Sequence, residues 1–305
     1  MRQAYWLSGL KLESDFPLPA LVRWEGPEER AADVAIHRGK VPVRLERPDH
    51  AGPIFQTRGR DEYLLNLPGT GRILVQNGNE ITVDPDADAD LNTTSAILTG
   101  TIQAVLWHQR GLLPLHASVV VIGGRAVPLC GPSAAGKSTL AAMLAAQGCP
   151  VLADDLCLID AHEGKPVSVL PGCPRLRLWA DSLERLCIGA TALTRALTGR
   201  DTFFVDRGGL VPPRERLALG ALVVLFRRES GRVEFERMRG ALAVDTLYGV
   251  VHTRRPAGAL GRGQDIFAAV RRLASAGAPI WALRFPDELS CLGETAAHVL
   301  TATDG

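Results

Sequence analysis

The sequence predicts an α/β protein in which a domain with a mixed sheet follows a smaller, β-rich N-terminal domain. Three observations indicate this fold class. Short alternating strand patterns broken by turns fill the first 94 residues, a glycine-rich loop joins a strand to a helix near residue 131, and strand and helix patterns alternate from there onward. We therefore expect two domains, at residues 1–94 and 95–305.

Composition narrows the class of protein. The chain has 305 residues, of which 46% are apolar and 22% charged, as in ordinary globular proteins. A formal net charge of +1 argues against nucleic acid or an anionic membrane as a partner. We see no apolar run of membrane-spanning length and no apolar signal-peptide core, and the six cysteines are single and form no C-x-x-C pair. These features predict a cytoplasmic protein in a reducing compartment.

The N-terminal domain contains a clear hairpin signal. The alternating runs 72–76 and 80–84 flank Asn77 and Gly78, a pair typical of tight hairpin turns. The acidic run 84–90 that follows has no EF-hand pattern, so we interpret it as a solvated linker. Because this domain lies outside the glycine-rich loop region, we expect it to help recognise a substrate.

A helix and a hairpin lead into the glycine-rich loop. The helix is predicted from Asn92 to near Gly111, with its N-cap at one of three adjacent hydroxyl residues, Thr93, Thr94 or Ser95. The apolar runs 118–122 and 125–130 then flank Gly123-Gly124, which predicts a hairpin.

The loop itself has the pattern G-x-x-x-x-G-K-[ST], formed by Gly131, Gly136, Lys137 and Ser138, and we call residues 131–138 the phosphate loop. In this pattern backbone N–H groups surround phosphate oxygens, the lysine adds a positive charge, and the serine hydroxyl is a Mg²⁺ ligand. A helix predicted over 139–147, with Gly148 as its C-cap, points its N-terminus at the same place. We therefore predict a site for ATP and Mg²⁺, with phosphate-binding residues Gly131, Ser133, Ala134, Ala135, Gly136, Lys137, Ser138 and Thr139.

A pair of carboxylates follows the next strand. The short apolar run 151–153 ends at Asp154 and Asp155, and a strand–loop–helix–strand path returns its end to the phosphate loop. One carboxylate can hold Mg²⁺ while the other accepts a hydroxyl proton. Because neighbouring side chains on a strand point to opposite faces, a shared role requires a twist or bulge at this pair. His116 precedes the hairpin, and the sequence alone favours a structural role for a single histidine.

The remaining chain carries further strand and helix patterns. Four arginines, Arg175, Arg177, Arg254 and Arg255, are candidates for contacts to phosphate or substrate, although a chain with 30 arginines makes solvent exposure the simpler interpretation for each. Residues 189–213 are irregular, which is typical of a mobile loop. Strands are predicted at 156–159, 167–170, 174–179, 221–226, 233–238 and 279–285, and helices at 181–188, 241–250 and 264–275.

The segment from Leu115-His116-Ala117 through the loop to Val151–Asp155 resembles the HPr serine kinase/phosphorylase family, whose kinase core is similar to the phosphoenolpyruvate-carboxykinase-like P-loop folds. The start of the chain, 5–10, and the runs 112–117 and 174–179 look more like the homologues encoded with lasso-peptide biosynthesis, which phosphorylate the C-terminal serine of a precursor peptide. Pro132 and Ala134 replace the family's usual Asp and Gly, and a second family motif is missing, so we do not expect the reverse phosphorylase reaction.

The resemblance implies specific roles and leaves alternatives open. It implies that Asp154 is the catalytic base, that His116 lies at the active site with Lys137, and that Ser138 and Asp155 hold the metal. It implies an ATP-dependent serine kinase acting on a peptide or small protein, and a homo-oligomer is left open because members of the family assemble as oligomers. A small-molecule kinase of the shikimate or gluconate type, or a nucleotide-gated regulatory module, remains the alternative. The hairpin before the loop disfavours the small-molecule class, whose sheets are simpler and parallel.

Overall fold

The computed structural model describes residues 2–189, 193–196, 201–205, 215–288 and 291–303. The chain is a mixed α/β protein with two compact units. The first unit ends at Leu112 and includes His252–Ile266; the second begins at Leu113 and holds the other described residues. The first unit therefore extends beyond residue 94, because the helical segment after that position packs with it.

The strands of the first unit are β1 (Gln3–Leu7), β2 (Leu10–Ser14), β3 (Val22–Arg23), β4 (Val34–Arg38), β5 (His50–Ala51), β6 (Phe55–Arg58), β7 (Glu62–Leu67), β8 (Gly71–Gln76) and β9 (Glu80–Pro85). Those of the second are β10 (Leu113–Leu115), β11 (Ala117–Ile122), β12 (Arg125–Cys130), β13 (Val151–Ala153), β14 (Cys157–Asp160), β15 (Ser168–Leu170), β16 (Leu176–Trp179), β17 (Thr194–Arg195), β18 (Thr202–Val205), β19 (Leu217–Ala218), β20 (Leu222–Arg228), β21 (Glu234–Met238) and β22 (Ile280–Pro286). The helices are α1 (Leu91–Ile97), α2 (Gln103–Gln109), α3 (Lys137–Ala146), α4 (Ala180–Arg185), α5 (Gly240–Gly249), α6 (Arg254–Ala259), α7 (Gly263–Ala274) and α8 (Leu292–Leu300), and the π-helical segment Leu98–Ile102 joins α1 to α2.

In the part of the first unit that the structure describes, one sheet has the order β3-β1-β2-β4-β9-β8-β7-β6-β5. Most neighbours are antiparallel, whereas β4 runs parallel to both β2 and β9. The predicted hairpin is confirmed: β8 and β9 pair antiparallel with Gln76 opposite Glu80. Asn77 and Gly78 have φ values of +54° and +65°, the left-handed conformation that a type I′ turn requires at both positions.

A second turn, between β7 and β8, supports a stability prediction. Gly71 has φ +117°, and a Cβ added there would lie 2.3 Å from the Asp84 carbonyl oxygen, a backbone atom that cannot move aside alone. Gly69 also has a positive φ, of +78°, but open space around it. We expect Gly71→Ala to lower the free energy of unfolding by about 2 kcal/mol or more, and Gly69→Ala by about 1 kcal/mol, in denaturant titrations. Equal losses would contradict the steric explanation.

The helical segment after the sheet begins earlier than predicted. The Asp90 side chain caps α1 by accepting hydrogen bonds from the backbone N–H groups of Asn92 and Thr93, so none of the three hydroxyl residues is the N-cap. The Asp90 carboxylate is the cap instead of a hydroxyl group because its two oxygens satisfy two unpaired backbone N–H groups at once. The interpretation of 84–90 as a solvated linker is also wrong at Asp84, which is buried in β9 and pairs with Arg72.

We predict that His108 in α2 makes the stability of the chain dependent on pH. Its imidazole is 2% exposed, with Nε2 2.8 Å from the His252 carbonyl oxygen. Burial lowers the pKa of His108 to about 4, outweighing the hydrogen bond to that carbonyl. Because the unfolded chain takes up the proton near pH 6.5 and the folded chain only near pH 4, the free energy of unfolding should fall as pH drops through this window, by about 3 kcal/mol.

Denaturant titrations between pH 7 and pH 4 test this prediction. His108→Gln retains a side-chain N–H donor toward His252, and should lose most of that pH dependence. His50→Gln, at an exposed position of the same unit, is the control and should keep it. An unchanged pH profile in His108→Gln would show that His108 is not the group responsible.

In the second unit, the described strands form a sheet with the order β13-β11-β12-β20-β22-β21. The phosphate loop follows β12, one of the two central strands. The predicted hairpin is confirmed, since β11 and β12 are antiparallel from Ala117↔Cys130 to Ile122↔Arg125. β12 is parallel to β20, and β20 is parallel to β22. The mixed sheet of the prediction is therefore present, and the carboxyl ends of β12, β20 and β22 share one edge.

Helix α3 begins two residues earlier than predicted, at Lys137, directly after Gly136. Its C-terminus is a Schellman motif: Gly148 N–H donates to Ala145 O, Cys149 N–H donates to Leu144 O, and Gly148 has φ +96°. The apolar face of α3 packs against the sheet through Leu140 and Leu144, both at most 1% exposed. This packing fixes the helix N-terminus behind the loop.

Other parts of the second unit differ from the expectations. The β14–β15 hairpin is confirmed, but α4 starts at Ala180 and ends at Arg185, and α8 was not predicted. Of the irregular stretch 189–213, the structure describes only 189, 193–196 and 201–205. These residues include β17 and β18, which pair in a sheet with β16; the rest of that expectation lies outside the described residues. Three cysteines are buried, as expected, whereas Cys187 is exposed.

Candidate functional site

The phosphate loop leaves β12 in a conformation that only a few residue types adopt without strain. Gly131 has φ +153° and an added Cβ would lie 3.1 Å from the Leu225 carbonyl oxygen and 3.2 Å from the Ala135 Cβ. Ala134 and Gly136 have φ values of +64° and +88°. These positive φ values turn the backbone tightly around the end of α3, which places the unpaired N–H groups of the helix beside the loop.

Lys137 is the first residue of α3 and is held against the loop. Its side chain is buried, and Nζ donates to the Gly131 and Pro132 carbonyl oxygens at 3.0 and 2.8 Å. Burial lowers the pKa of Lys137, while the carboxylates of Asp155 and Asp154 act in the opposite direction. The two carbonyl groups thus hold the ammonium group of Lys137 at the loop. An anion bound there would attract the ammonium group away from these carbonyl groups.

Asp154 immediately follows β13, which pairs with β11. Its Oδ1 accepts hydrogen bonds from Ser118 Oγ at 2.5 Å and Ser138 Oγ at 2.9 Å, and its Oδ2 accepts one from the Arg177 backbone N–H at 2.8 Å. The residue is 6% exposed, and burial raises the pKa of its carboxyl group. Asp154 is therefore joined directly to the serine of the phosphate loop.

Asp155 points in a different direction. Its φ of +67° supplies the twist that the sequence required at this pair, so the two side chains separate while both face the cavity. Asp155 Oδ1 lies 3.2 Å from His116 Nε2, and Oδ2 accepts a hydrogen bond from the Arg177 guanidinium at 3.0 Å. Its side chain is 32% exposed. The structure thus brings His116 and both carboxylates to one place.

A cavity of about 330 Å³ connects these groups. Most of the predicted site residues line it: His116, Ser133, Ala134, Gly136, Lys137, Ser138, Thr139, Asp154 and Asp155. The other two, Gly131 and Ala135, are buried and are not among the residues that line the cavity. Of the candidate arginines only Arg177 is in the lining; Arg175 packs over the Phe204 ring, and Arg254 and Arg255 belong to α6 in the first unit.

Sequence reasoning missed several residues of this cavity. Trp179 and Arg185 come from the β16–α4 segment, and Arg227 and Asp287 follow the cores of β20 and β22. The last two carried a usable signal, because ligands of parallel sheets bind at the carboxyl ends of strands. Ser118, within β11, carried none, since its contact with Asp154 depends on how β11 and β13 pair.

The donor set fits a magnesium ion. Ser138 Oγ and the Asp154 carboxylate are adjacent hard oxygen ligands beside the phosphate loop. Among the described residues no group of three or more His, Cys, Asp or Glu side chains could hold a metal. Mg²⁺ does not need such a cage, since it binds through one or two protein oxygens together with substrate phosphates and water.

Comparisons with known proteins add little to this geometry. No protein-family model and no curated protein matches the chain. Among solved structures, the HPr(Ser) kinase/phosphatase from Coxiella burnetii matches with a TM-score of 0.32 and 13% identity, over 63% of this chain and 95% of that one. Over the part of the chain that the structure describes, no helix has the length and apolar character that crossing a bilayer requires.

Proposed function

We propose that the protein is an ATP-dependent kinase that transfers the γ-phosphoryl group to a serine hydroxyl of a peptide or small protein. One observation carries the proposal: a single cavity contains the phosphate loop with Lys137, a hydroxyl–carboxylate pair suited to Mg²⁺, and a second carboxylate beside a histidine. Phosphoryl transfer to an alcohol needs these three functions in one place.

In the proposed reaction the serine oxygen attacks the γ-phosphorus, its proton passes to a carboxylate, and the bond from the γ-phosphorus to the bridging oxygen breaks to release ADP. Lys137 and the loop N–H groups stabilise the phosphate charge. Ser138 and Asp154 would hold Mg²⁺, which when bound neutralises charge on the phosphate oxygens.

For the two carboxylates we propose the reverse of the roles implied by the resemblance, with Asp155 as the base and Asp154 at the metal. The raised pKa of Asp154 on its own would suit a base. We nevertheless assign Asp154 to the metal, because its two carboxylate oxygens together accept three hydrogen bonds, one of them from the loop residue Ser138. The side chain of Asp155 is 32% exposed, whereas the Asp154 carboxylate is the one that accepts a hydrogen bond from Ser138.

His116 and Arg177 then act as positioning residues for Asp155. Each contacts one of its carboxylate oxygens, His116 through Nε2 and Arg177 through its guanidinium group. The two contacts fix the plane of the carboxylate, which a base needs in order to meet the acceptor hydroxyl. His116 thus acts in the proposed site through its contact with Asp155.

The acceptor class comes from the sequence resemblance. The resemblance to the lasso-peptide homologues favours the C-terminal serine of a precursor peptide, and recognition of that peptide by the N-terminal domain stays a prediction. The antiparallel β11–β12 hairpin argues against the simpler parallel sheet of small-molecule kinases. Those enzymes remain the second candidate because they place carboxylates at a similar interval after the loop.

Intact-mass spectrometry of candidate acceptors incubated with the purified chain and Mg·ATP tests the proposal. The acceptors are a lasso precursor peptide ending in serine, the same peptide ending in alanine, HPr protein and a panel of small alcohols. We expect one added phosphoryl group on the serine peptide and none on the alanine peptide. Phosphorylation of a small alcohol alone would support the second candidate, and ATP binding without transfer would favour a regulatory module.

A further inference from the structure

A second charged cluster lies across the phosphate loop from the carboxylate pair. Arg227, at the end of β20, donates through Nη1 to the Ala134 carbonyl oxygen at 3.0 Å and pairs through Nη2 with Asp287 Oδ1. Arg185, the last residue of α4, donates to the same Oδ1 at 2.9 Å. All three side chains line the cavity that contains the loop.

Arg227 has both positive and negative groups around it. Two guanidinium groups share one oxygen of the Asp287 carboxylate, and Asp181 and Glu288 add two more carboxylates to the lining of the cavity. The other partner of Arg227 is a neutral carbonyl group. Burial, and then the proximity of Arg185, lower the pKa of Arg227 and outweigh the opposite effect of the Asp181 carboxylate, so the charge of Arg227 is disfavoured in these surroundings. An anion in the cavity would relieve this.

Sheet order puts the cluster on the opposite side of the loop from the reacting carboxylates. The loop follows β12. On one side of β12 lie β11 and then β13, and β13 leads to Asp154 and Asp155. On the other side lie β20 and β22, which lead to Arg227 and Asp287. A polyphosphate bound along the loop would therefore have carboxylates on one flank and guanidinium groups on the other.

We propose that Arg227 is a polyphosphate-binding residue of this site, that Arg185 reinforces its charge, and that Asp287 holds it in place and competes with the ligand for it. The ligand class is a nucleoside polyphosphate, so the inference rests on the proposed nucleotide site but not on the identity of the acceptor. Binding exchanges the contact with Asp287 for a charge-assisted hydrogen bond to phosphate.

Calorimetric titration with Mg·ATP separates this role from a purely structural ion pair, because the proposed role predicts that substitutions at Arg227 and at Asp287 change Kd in opposite directions. Arg227→Gln removes the phosphate contact and should raise Kd about 10- to 100-fold. Asp287→Asn removes the competing carboxylate and should lower Kd by about threefold or more. Arg227→Lys should lie between wild type and Arg227→Gln. Arg195→Gln is the matched control, because Arg195 pairs with Asp201 on the surface and is not among the described residues that line the cavity.

A structural pair alone predicts that Arg227→Gln and Asp287→Asn both weaken binding or both leave it unchanged, and either result would overturn the proposal. If Arg227→Gln does not fold, the sign of the change in Asp287→Asn decides. The affinity of the wild-type chain reports separately on the proposed function: wild type that binds Mg·ATP with unaltered variants refutes only the role of Arg227. Wild type that binds no polyphosphate refutes both.

Discussion

Replacing Asp155 by asparagine is expected to lower the rate of phosphoryl transfer by about 10²- to 10⁴-fold while Mg·ATP binding stays close to that of wild type. The amide retains the shape of the side chain beside His116 and Arg177 but cannot accept the proton of the acceptor hydroxyl. Single-turnover kinetics at saturating ATP measure the rate, and calorimetry measures the affinity, so the loss can be attributed to the chemical step.

Asp154→Asn is the comparison that makes this result specific. Asp154 accepts a hydrogen bond from the Ser138 hydroxyl and is proposed to hold Mg²⁺ with it. Replacing its carboxylate by a neutral amide should therefore raise the Mg²⁺ concentration needed for half-maximal nucleotide binding. If instead Asp154→Asn slows transfer with metal and nucleotide binding intact, and Asp155→Asn is close to wild type, the roles implied by the family resemblance hold and our reversal is wrong.

Lys137→Ala is the second substitution with a large expected effect. Loss of the ammonium group at the loop should lower kcat/KM by about 10²- to 10³-fold, because the charge of the transferring group is no longer neutralised there. The chain has only four lysines, and Lys165→Ala, in an exposed turn of the same unit, is the matched control. A loss of activity in both variants would point to a general effect on the protein rather than on the site.

Much of the site could be predicted from the sequence because its central parts are local. The loop pattern, the helix behind it and the hairpin before it each depend on residues close together in the chain, and all three are present. The return of β13 to the loop edge follows from general connection rules, which place Asp154 near Ser138. Strand geometry also predicted a backbone twist at the Asp154–Asp155 pair, and the positive φ of Asp155 provides that twist.

The parts that could not be predicted depend on contacts between distant segments. Which carboxylate meets Ser138 depends on the pairing of β11 with β13 and on the Arg177 N–H from β16. The Arg227–Asp287 pair joins the ends of two strands about 60 residues apart, and nothing in the local sequence around either residue indicates the other. The N-cap at Asp90 was missed for a local reason, since several adjacent residues can cap a helix and the backbone path selects among them.

The most direct test of the central claim is the fate of an isotopic label in the γ-phosphoryl group of ATP. The purified chain is incubated with Mg·ATP whose γ-phosphoryl oxygens carry ¹⁸O and with a precursor peptide ending in serine, and fragment masses locate the label. We predict that the labelled phosphoryl group appears intact on the C-terminal serine, and that Lys137→Ala and Asp155→Asn suppress it. Labelled inorganic phosphate with an unmodified peptide, although the chain binds Mg·ATP, would contradict the assignment as a serine kinase of peptides.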